Sequence, residues 1–148
     1  MKKYLMTMVF GLAVLFAFPQ RHSTPPESVR QSFTKEYPKS APTHWNRSGT
    51  VWSATFEDRD NDNGEATAHF DAQGRYMDTH VLYDNHDVPA PVTENINKQY
   101  PGSDHQKYTR IDRPRNGDLY QVNLKHQGKS KTLYVDDKGQ ETHYAGNR

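Results

Sequence analysis

Hydrophobic residues spaced four apart occur in two segments of the chain and predict two short helices. The segments are PESVRQSFTKEYPKS, residues 26–40, and PAPVTENINKQYPGS, residues 89–103. Apolar side chains at i, i+4 and i+8 lie on one stripe of a helix. Each helix is expected to end before Pro38 or Pro101, since proline disfavours helical backbone in the residue before it. Thr24 and Glu27 are spaced as a capping box for the first helix. The apolar positions match in pairs: Val29 with Val92, Phe33 with Ile96, and Tyr37 with Tyr100.

Alternating apolar and polar residues follow each helix and predict antiparallel strands. The period of two is clearest in TVWSATFED, residues 50–58, and in DLYQVNLKH, residues 118–126. Residues 65–76 and 129–140 each contain Asp-x-x-Gly, which is typical of a tight turn in which glycine adopts a positive φ. Short first strands are expected near 44–45 and 107–111, and last strands near 76–83 and 140–144. The strand residues expected to face the helices are Trp52, Ala54, Phe56, Tyr120, Val122 and Leu124.

The order of these elements predicts an α+β fold built as a tandem repeat. Residues 24–84 and 87–145 would each form one helix plus about four antiparallel strands, with DNHDVPA joining the two units. A helix of three turns is too short to be stable alone, so each helix needs a sheet surface to pack on. The expected result is an antiparallel sheet with both helices on one face.

The acidic segment EDRDNDNGE, residues 57–65, raises the question of a calcium site. A calcium loop of the EF-hand type has glycine at its sixth position and glutamate at its twelfth. Counted from Asp58, these positions are Asn63 and His69, and strands rather than helices flank the loop. Asn-Gly between alternating apolar runs is instead a strong hairpin signal. We therefore predict a hairpin tip at 63–64, with weak calcium contact through Asp58, Asp60 and Asp62 as the alternative.

These motifs, in this order and in duplicate, resemble the PepSY-like family related to β-lactamase inhibitor protein. The motifs are PESVRQSFTKEYP with HFDAQG, and PAPVTENINKQYP with YVDDKG. The resemblance covers nearly the whole chain after residue 24. It implies two PepSY-like repeats, residues 24–84 and 87–145, whose strands form one curved sheet with helices on one face. It also implies export to the periplasm and an inhibitory or binding role, with no contact residues to carry over.

The first 20 residues differ from the rest of the chain and predict a signal peptide. Lys2 and Lys3 precede an uncharged apolar run over residues 4–18, which is too short to cross a bilayer comfortably. No clear small-x-small cleavage site follows, so an uncleaved membrane anchor is the alternative. The chain has no cysteine, which excludes a lipid-modified cysteine and disulfides. A periplasmic or secreted protein that is not a lipoprotein is expected.

Charge and motif content exclude several classes of function. The formal net charge is +1 and becomes −1 without Lys2 and Lys3 (1 − 2 = −1), so nucleic acid is not an expected partner. No Gly-x-Ser-x-Gly elbow or glycine-rich phosphate loop occurs, and no enzyme activity or cofactor is expected. In the loop RIDRPRNGD, Arg110, Arg113 and Arg115 lie among acidic residues, which favours a solvated loop over a phosphate site.

The eight histidines are scattered, without a metal-binding helical pair. His69 and Asp71, two apart on one strand, could form a surface metal contact, but exposed imidazoles are the favoured interpretation.

The sheet face away from the helices is the best candidate for recognition. Since side chains alternate along a strand, the neighbours of the helix-facing residues must point to this open face. The residues assigned to it are Val51, Ser53, Thr55, Thr67, His69, Leu119, Gln121, Asn123, Thr132 and Tyr134. Tyrosine among small polar groups suits a binding surface, while an ordinary solvated face is the plain alternative.

The sequence thus predicts an exported, non-enzymatic binding module, inhibitor-like in character, that uses its open sheet face. The partner would be a protein or peptide of the cell envelope, with membrane contact only through an uncleaved signal segment. The predicted contact residues are Thr55, Thr67, His69, Gln121, Asn123 and Tyr134. A periplasmic carrier of a small ligand or of a metal ion such as calcium or zinc is the alternative. An enzyme acting on envelope polymers is a third hypothesis, which no residue pair supports.

Overall fold

The computed structural model describes residues 24–59, 64–83 and 87–144, except for the side chains of residues 105 and 106. The predicted signal peptide, residues 1–20, lies outside the described residues. The described chain forms two helices and seven strands: α1 (Glu27–Glu36), β1 (Pro42–Ser48), β2 (Val51–Glu57), β3 (Glu65–Phe70), β4 (Tyr76–Tyr83), α2 (Ala90–Gln99), β5 (Asp104–Asp112), β6 (Leu119–His126) and β7 (Lys129–Val135). Neither helix in these ranges is long and apolar enough to cross a membrane.

The seven strands form a single open antiparallel sheet in the order β1 to β7. The expected mixed α+β fold with an antiparallel sheet is therefore confirmed. Helix α2 connects the neighbouring strands β4 and β5, which pair from Thr79 with Asp112 to Tyr83 with Tyr108. One predicted strand is wrong. Residues 140–144 form no strand beyond an isolated bridge between Glu141 and Val135.

Helix α1 packs its apolar stripe on β1 to β4. Val29 and Phe33 are 0% and 1% exposed, and the Phe33 ring lies 5.1 Å from that of Phe56 in an edge-to-face arrangement. Aromatic pairs of this geometry add to the free energy of burial. Trp52, Ala54 and Phe56 all face the helix, as the period of two predicted. The core beneath α1 is therefore built largely from aromatic side chains.

Helix α2 packs on β5 to β7 in a corresponding way. Val92 and Ile96 are fully buried against a set of strand residues that point to the same side of the sheet. That set consists of Tyr108, Tyr120, Val122, Leu124, Leu133 and Val135. Tyr83 in β4 packs against this cluster and against the first one. The register therefore places both helices on one face, and the sheet is continuous beneath them.

A polar network fills the space between the two apolar clusters. The Arg110 Nη2 donates a hydrogen bond to Asp112 Oδ2 over 2.7 Å, and its guanidinium lies 4.9 Å from the centre of the Tyr83 ring. Tyr76 donates to Thr79 over 3.0 Å, and Tyr37 hydrogen-bonds to both. Burial raises the pKa of Asp112 more than Arg110 lowers it. Arg110 thus joins the two halves on the helix side and is not part of a solvated loop.

The helix termini agree with the proline pattern but not with the capping box. Helix α1 starts after Pro26 with no side-chain cap hydrogen bond, so the predicted Thr24–Glu27 box is wrong. Glu27 instead contacts Arg30 and Gln31, one turn further along the helix. Both helices end at the expected tyrosine, where the N–H of Tyr37 donates to Phe33 O and that of Tyr100 to Ile96 O.

The first Asp-x-x-Gly turn depends on the Asp71 side chain. Asp71 Oδ1 accepts the N–H of Gln73 over 2.9 Å and that of Arg75 over 2.8 Å. Burial would raise the pKa of Asp71, but the hydrogen bonds from Arg75 and Gln73 outweigh it, and the pKa is lowered. A carboxyl whose folded pKa is lowered stabilises the fold above its unfolded pKa, and this stability is lost as pH falls through the folded value.

Asp71→Ala is expected to lower the free energy of unfolding at neutral pH by about 1 kcal/mol, the net contribution of such hydrogen bonds. Asp71→Asn is the matched control, because its amide oxygen still accepts both N–H groups. Urea unfolding at pH 7 and at pH 2.5 gives the measurement. The wild-type chain should be more stable than Asp71→Asn at pH 7 and should lose most of that advantage at pH 2.5. An equal difference at both values would contradict the assigned contact.

Candidate functional site

All six predicted contact residues lie on the open face of the sheet, and each is partly buried. Thr55 pairs with Thr67 across β2 and β3, and Gln121 pairs with Tyr134 across β6 and β7. Asn123 Oδ1 accepts a hydrogen bond from Thr132 Oγ1 over 2.8 Å. His69 lies opposite Asp78 of β4. The six residues therefore form two groups, with β4 and β5 between them.

Side chains of those two central strands, which were not among the predicted contacts, also lie on the open face. Leu82 of β4 is 45% exposed and is the one large hydrophobic side chain that is exposed in the described ranges. The register places Leu82 opposite Thr109, Thr109 opposite Gln121, and Gln121 opposite Tyr134. An exposed leucine therefore lies in one row with hydrogen-bonding and aromatic side chains. We call the row Leu82, Thr109, Gln121 and Tyr134 the central row.

Part of the open face is covered by the end of the described chain. The N–H of Thr142 donates to Tyr134 O over 2.8 Å, and the Tyr144 ring lies 5.1 Å from the Tyr134 ring and 6.2 Å from that of His80. Tyr144 therefore spans from β7 to β4. Ile111 and Leu119, which lie between these strands on the same face, are 0% and 2% exposed. The prediction that Leu119 lies on an open surface is wrong, because its side chain is buried.

Under this segment, two histidines and an aspartate come together. His69 Nδ1 lies 2.7 Å from Asp78 Oδ1, and His80 Nε2 lies 3.5 Å from the same oxygen. Tyr144 donates its hydroxyl hydrogen to Asp78 Oδ2 over 2.8 Å. One nitrogen of each histidine and one Asp78 oxygen all lie within 4.8 Å of one another. The three residues offer ligands for a metal ion, and we call them the His-Asp-His cluster.

A β-bulge at Met77 sets the register of this cluster. Phe70 pairs with Tyr76 while His69 pairs with Asp78, so Met77 has no partner in β3. The extra residue lets Tyr76 point to the helix side and Asp78 to the open face. Bulges commonly redirect side chains at functional sites. Asp78 and His80 are then two apart on one strand and lie on the same face.

The side chains of the cluster are partly shielded from solvent, with exposures of 19% for His69, 4% for Asp78 and 28% for His80. Burial lowers the pKa of His80 in spite of the nearby Asp78. Burial alone would raise the pKa of Asp78, but the hydrogen bonds from His69 and Tyr144 lower it overall. At neutral pH the cluster thus holds an ionised carboxylate and a neutral His80 imidazole.

The predicted pairing of His69 with Asp71 does not occur. Asp71 caps its own turn and ion-pairs with Arg75, whereas His69 turns to Asp78. The carboxylate partner of His69 lies on the next strand.

The acidic hairpin lies only in part within the described residues. Asp60 and Asp62 fall outside them, and so does the predicted turn residue Asn63. The N–H of Asp58 donates to Gly64 O over 3.0 Å, and Glu57 pairs with Glu65, as at the base of a hairpin. Gly64 has a positive φ of 80°. These contacts agree with the predicted turn at its base.

An open groove of about 1140 Å³ runs beside the cluster, at the end of the sheet. Its walls include Lys35 of α1, the turn before β4, residues 113–116, and His143 and Tyr144. The three predicted arginines do not act together there. Arg110 faces the helix side, and Arg113 donates to the backbone oxygens of Asn116 and Gly117. The solvated-loop interpretation therefore fits Arg113 better than a phosphate site does.

Comparison with known proteins identifies the family of the chain. Residues 52–142 match the family described as "Putative beta-lactamase-inhibitor-like, PepSY-like". The chain belongs to this PepSY-like family. No curated protein matches the chain. The resemblance inferred from the helix and turn motifs is thereby confirmed for the family.

Solved structures share the fold of this PepSY-like protein at low sequence identity. A protein from Bacteroides fragilis NCTC 9343 described as BLIP-like is 20% identical, with a TM-score of 0.72, covering 83% of this chain and 86% of that one. A DUF2874 family protein from Bacteroides ovatus ATCC 8483 is 18% identical, with a TM-score of 0.72 and coverage of 82% and 86%. A protein from Bacteroides eggerthii DSM 20697 described as "putative periplasmic" is 16% identical, with a TM-score of 0.71 and coverage of 82% and 88%.

Proposed function

We propose that this PepSY-like protein is an exported, non-enzymatic binding module that holds a protein partner against the open face of its sheet, in the manner of an inhibitor. The observation that carries the proposal is Leu82, which is 45% exposed at the centre of that face. Leu82 lies in one row with a tyrosine and hydrogen-bonding side chains, and such a mixture of apolar, aromatic and polar groups is typical of protein interfaces. The family description as β-lactamase-inhibitor-like supports the same class of function.

The central row indicates the chemistry of the partner. An apolar side chain of the partner would bury Leu82, while Thr109 and Gln121 offer hydrogen bonds beside it. Tyr134 adds aromatic area at a low cost in side-chain entropy. Thr55, Thr67 and Asn123 extend this surface to either side. A few such anchors, and not the whole contact area, normally provide most of the binding free energy. Leu82 is accordingly the expected anchor.

The proposal includes export to the periplasm and a duplicated architecture. Export is supported by the basic and apolar N-terminal segment and by the description of the Bacteroides eggerthii protein. Duplication is supported by the two helices, whose matched residues lie 63 positions apart. Both helices also have a tyrosine, Tyr37 or Tyr100, as the C-cap residue. The two Asp-x-x-Gly turns also approach their helices alike, with Gly74 beside Ser28 and Gly139 beside Pro91.

Photo-crosslinking from defined positions tests the binding face. A photoreactive amino acid at Leu82 or Gln121 is expected to give the same adduct with an envelope protein in intact cells. The same group at Lys98, which is exposed on α2, should not give that adduct. Leu82→Asp in the otherwise unmodified chain should weaken binding of the captured protein at least ~10-fold, the effect of losing a buried anchor.

Two outcomes would overturn this assignment. The helix side would be the binding face if position 98 gave the adduct and position 82 did not. The role of Leu82 as anchor would be wrong if Leu82→Asp bound as tightly as the wild-type chain. Circular dichroism of Leu82→Asp should be unchanged, because the side chain is exposed before binding.

A further inference from the structure

We infer that His69, Asp78 and His80 form a binding site for one divalent transition-metal ion of the zinc and copper class. The inference does not depend on the partner proposed for the central row. It rests on the positions of three ligand atoms, His69 Nδ1, His80 Nε2 and one Asp78 oxygen, which lie within 4.8 Å of one another. Imidazole nitrogen and carboxylate oxygen are the ligands that zinc takes in sites with three protein ligands.

Two of the three distances between ligand atoms are within about 0.7 Å of those at a tetrahedral metal site, and the third, between His69 Nδ1 and His80 Nε2, is within 4.8 Å. Bonds of about 2.0–2.1 Å in tetrahedral geometry place neighbouring ligand atoms about 3.3–3.4 Å apart. His80 Nε2 is already 3.5 Å from Asp78 Oδ1. His69 Nδ1 is 2.7 Å from that oxygen, and so must withdraw by about 0.6 Å when a metal ion replaces the shared hydrogen. Rotation of the histidine side chain accommodates a movement of this size.

The surroundings prepare the three groups to act as ligands. Tyr144 donates its hydrogen bond to Asp78 Oδ2, which orients the carboxylate and leaves Oδ1 directed to both histidines. Hydrogen bonds of this type to a ligand's second atom are a regular feature of metal sites.

The strands hold the ligands on a rigid base. His69 and Asp78 are direct cross-strand partners in β3 and β4, and His80 follows two residues later on the same face. Two central strands of a seven-stranded sheet therefore carry the whole ligand set. The site also lies next to the groove whose walls include Asp78 and Tyr144. Three protein ligands leave a coordination position for water or for a group of a bound molecule.

The hydrogen-bonded network without a metal is the competing explanation, and titration distinguishes the two. Isothermal titration of the full chain, purified without a histidine tag, with Zn²⁺ at pH 7.5 is expected to show one ion per chain. His69→Gln and His80→Gln should each abolish this binding under the same conditions. His44→Gln is the matched control, because His44 lies on the same face in β1, outside the cluster. It should bind Zn²⁺ as the wild type does.

Tyr144→Phe provides a graded test of the orienting contact. It should weaken Zn²⁺ binding by about 10- to 100-fold without abolishing it, as loss of a supporting hydrogen bond does at other metal sites. Electron paramagnetic resonance with Cu²⁺ as a probe should report two nitrogen ligands in the wild type, and this signal should be lost in either histidine variant. Circular dichroism of each variant shows whether the fold is retained.

The inference would be overturned by three results. The first is absence of stoichiometric Zn²⁺ binding to the folded chain. The second is an equal loss of binding in His44→Gln and His80→Gln, which would indicate scattered surface binding. The third is a Cu²⁺ spectrum that does not change when His69 or His80 is replaced. None of these results bears on crosslinking at Leu82, so the two proposals fail separately.

Discussion

Replacing Phe33 by alanine is expected to lower the free energy of unfolding by about 3–5 kcal/mol, the usual cost of removing a buried aromatic ring. Phe33 is 1% exposed. Its ring packs edge-to-face on those of Trp45 and Phe56, at centroid distances of 5.7 and 5.1 Å. These neighbours belong to different strands, so they cannot close together over the resulting cavity without moving the sheet. The effect should lie near the upper end of the range.

The matching change in the second half, Ile96→Ala, tests whether the two cores unfold together. It is expected to cost about 2–5 kcal/mol, since Ile96 is fully buried. Both tryptophans, Trp45 and Trp52, lie in the first half, so tryptophan fluorescence reports that half alone. Far-ultraviolet circular dichroism reports the whole sheet. Because β4 pairs with β5 and Tyr83 packs against both cores, Ile96→Ala should lower the urea midpoint equally by both probes.

Lys35→Ala and Lys98→Ala are the matched controls for these two changes. Both lysines are exposed in the last turn of their helices, and surface substitutions of this kind usually change stability by less than about 0.5 kcal/mol. An Ile96→Ala variant whose circular dichroism midpoint falls while its fluorescence midpoint stays fixed would contradict a single cooperative unit. The chain would then consist of two halves that unfold separately.

The helices and strands in which apolar residues recur at a regular spacing were predictable from the sequence. Val29, Phe33, Val92 and Ile96 face the sheet as their spacing requires, and Trp52 and Leu124 face the helices. These positions depend on burial of apolar surface, which the local pattern of the chain encodes. Residues 140–144 lack that pattern. They contain one tyrosine among polar residues, so an edge strand and a segment that covers the sheet are equally compatible with the sequence. In the structure these residues form the covering segment.

The candidate site was predictable only in part, because its geometry depends on a bulge and on contacts between distant residues. His69 was assigned to the correct face from the alternation in β3. Asp78 and His80 were missed because the alternation was not continued into β4, where DTHVLY carries the signal that would have found them. The extra residue at Met77 shifts the register between β3 and β4, and no pattern in the neighbouring sequence predicts this bulge. The contact of Tyr144 with Asp78 joins residues 66 positions apart, which spacing arguments do not reach.

Replacing Gly139 by alanine is expected to be as damaging as loss of a core side chain, although the glycine lies in a turn. Its φ is +76°, a conformation that costs a residue with a Cβ about 1–2 kcal/mol. A Cβ built there would also lie 2.5 Å from Pro91 O and 2.8 Å from Asn95 Cβ in α2. Overlap with a helix backbone cannot be relieved by side-chain rotation. Moving the helix away would cost about 1–3 kcal/mol more, as overpacking does.

Gly102→Ala separates the two contributions. Gly102 has nearly the same φ, +70°, but a Cβ there meets no atom within 4 Å. It therefore measures the backbone cost alone, and the extra loss in Gly139→Ala measures the overlap with α2. Gly74→Ala should behave like Gly139→Ala, because its Cβ would lie 2.7 Å from Ser28 O of α1. Thermal unfolding of the three variants gives the comparison.

Equal losses of thermal stability in Gly102→Ala and Gly139→Ala would show that a Cβ at position 139 does not overlap with α2. The close packing of turn against helix would then be wrong in the second half. A large loss in Gly139→Ala with a small one in Gly74→Ala would count against the duplicated architecture, since both turns would no longer make the same contact. Large and similar losses in both are expected, because in each half the Asp-x-x-Gly turn lets the helix backbone approach where any side chain would keep it away.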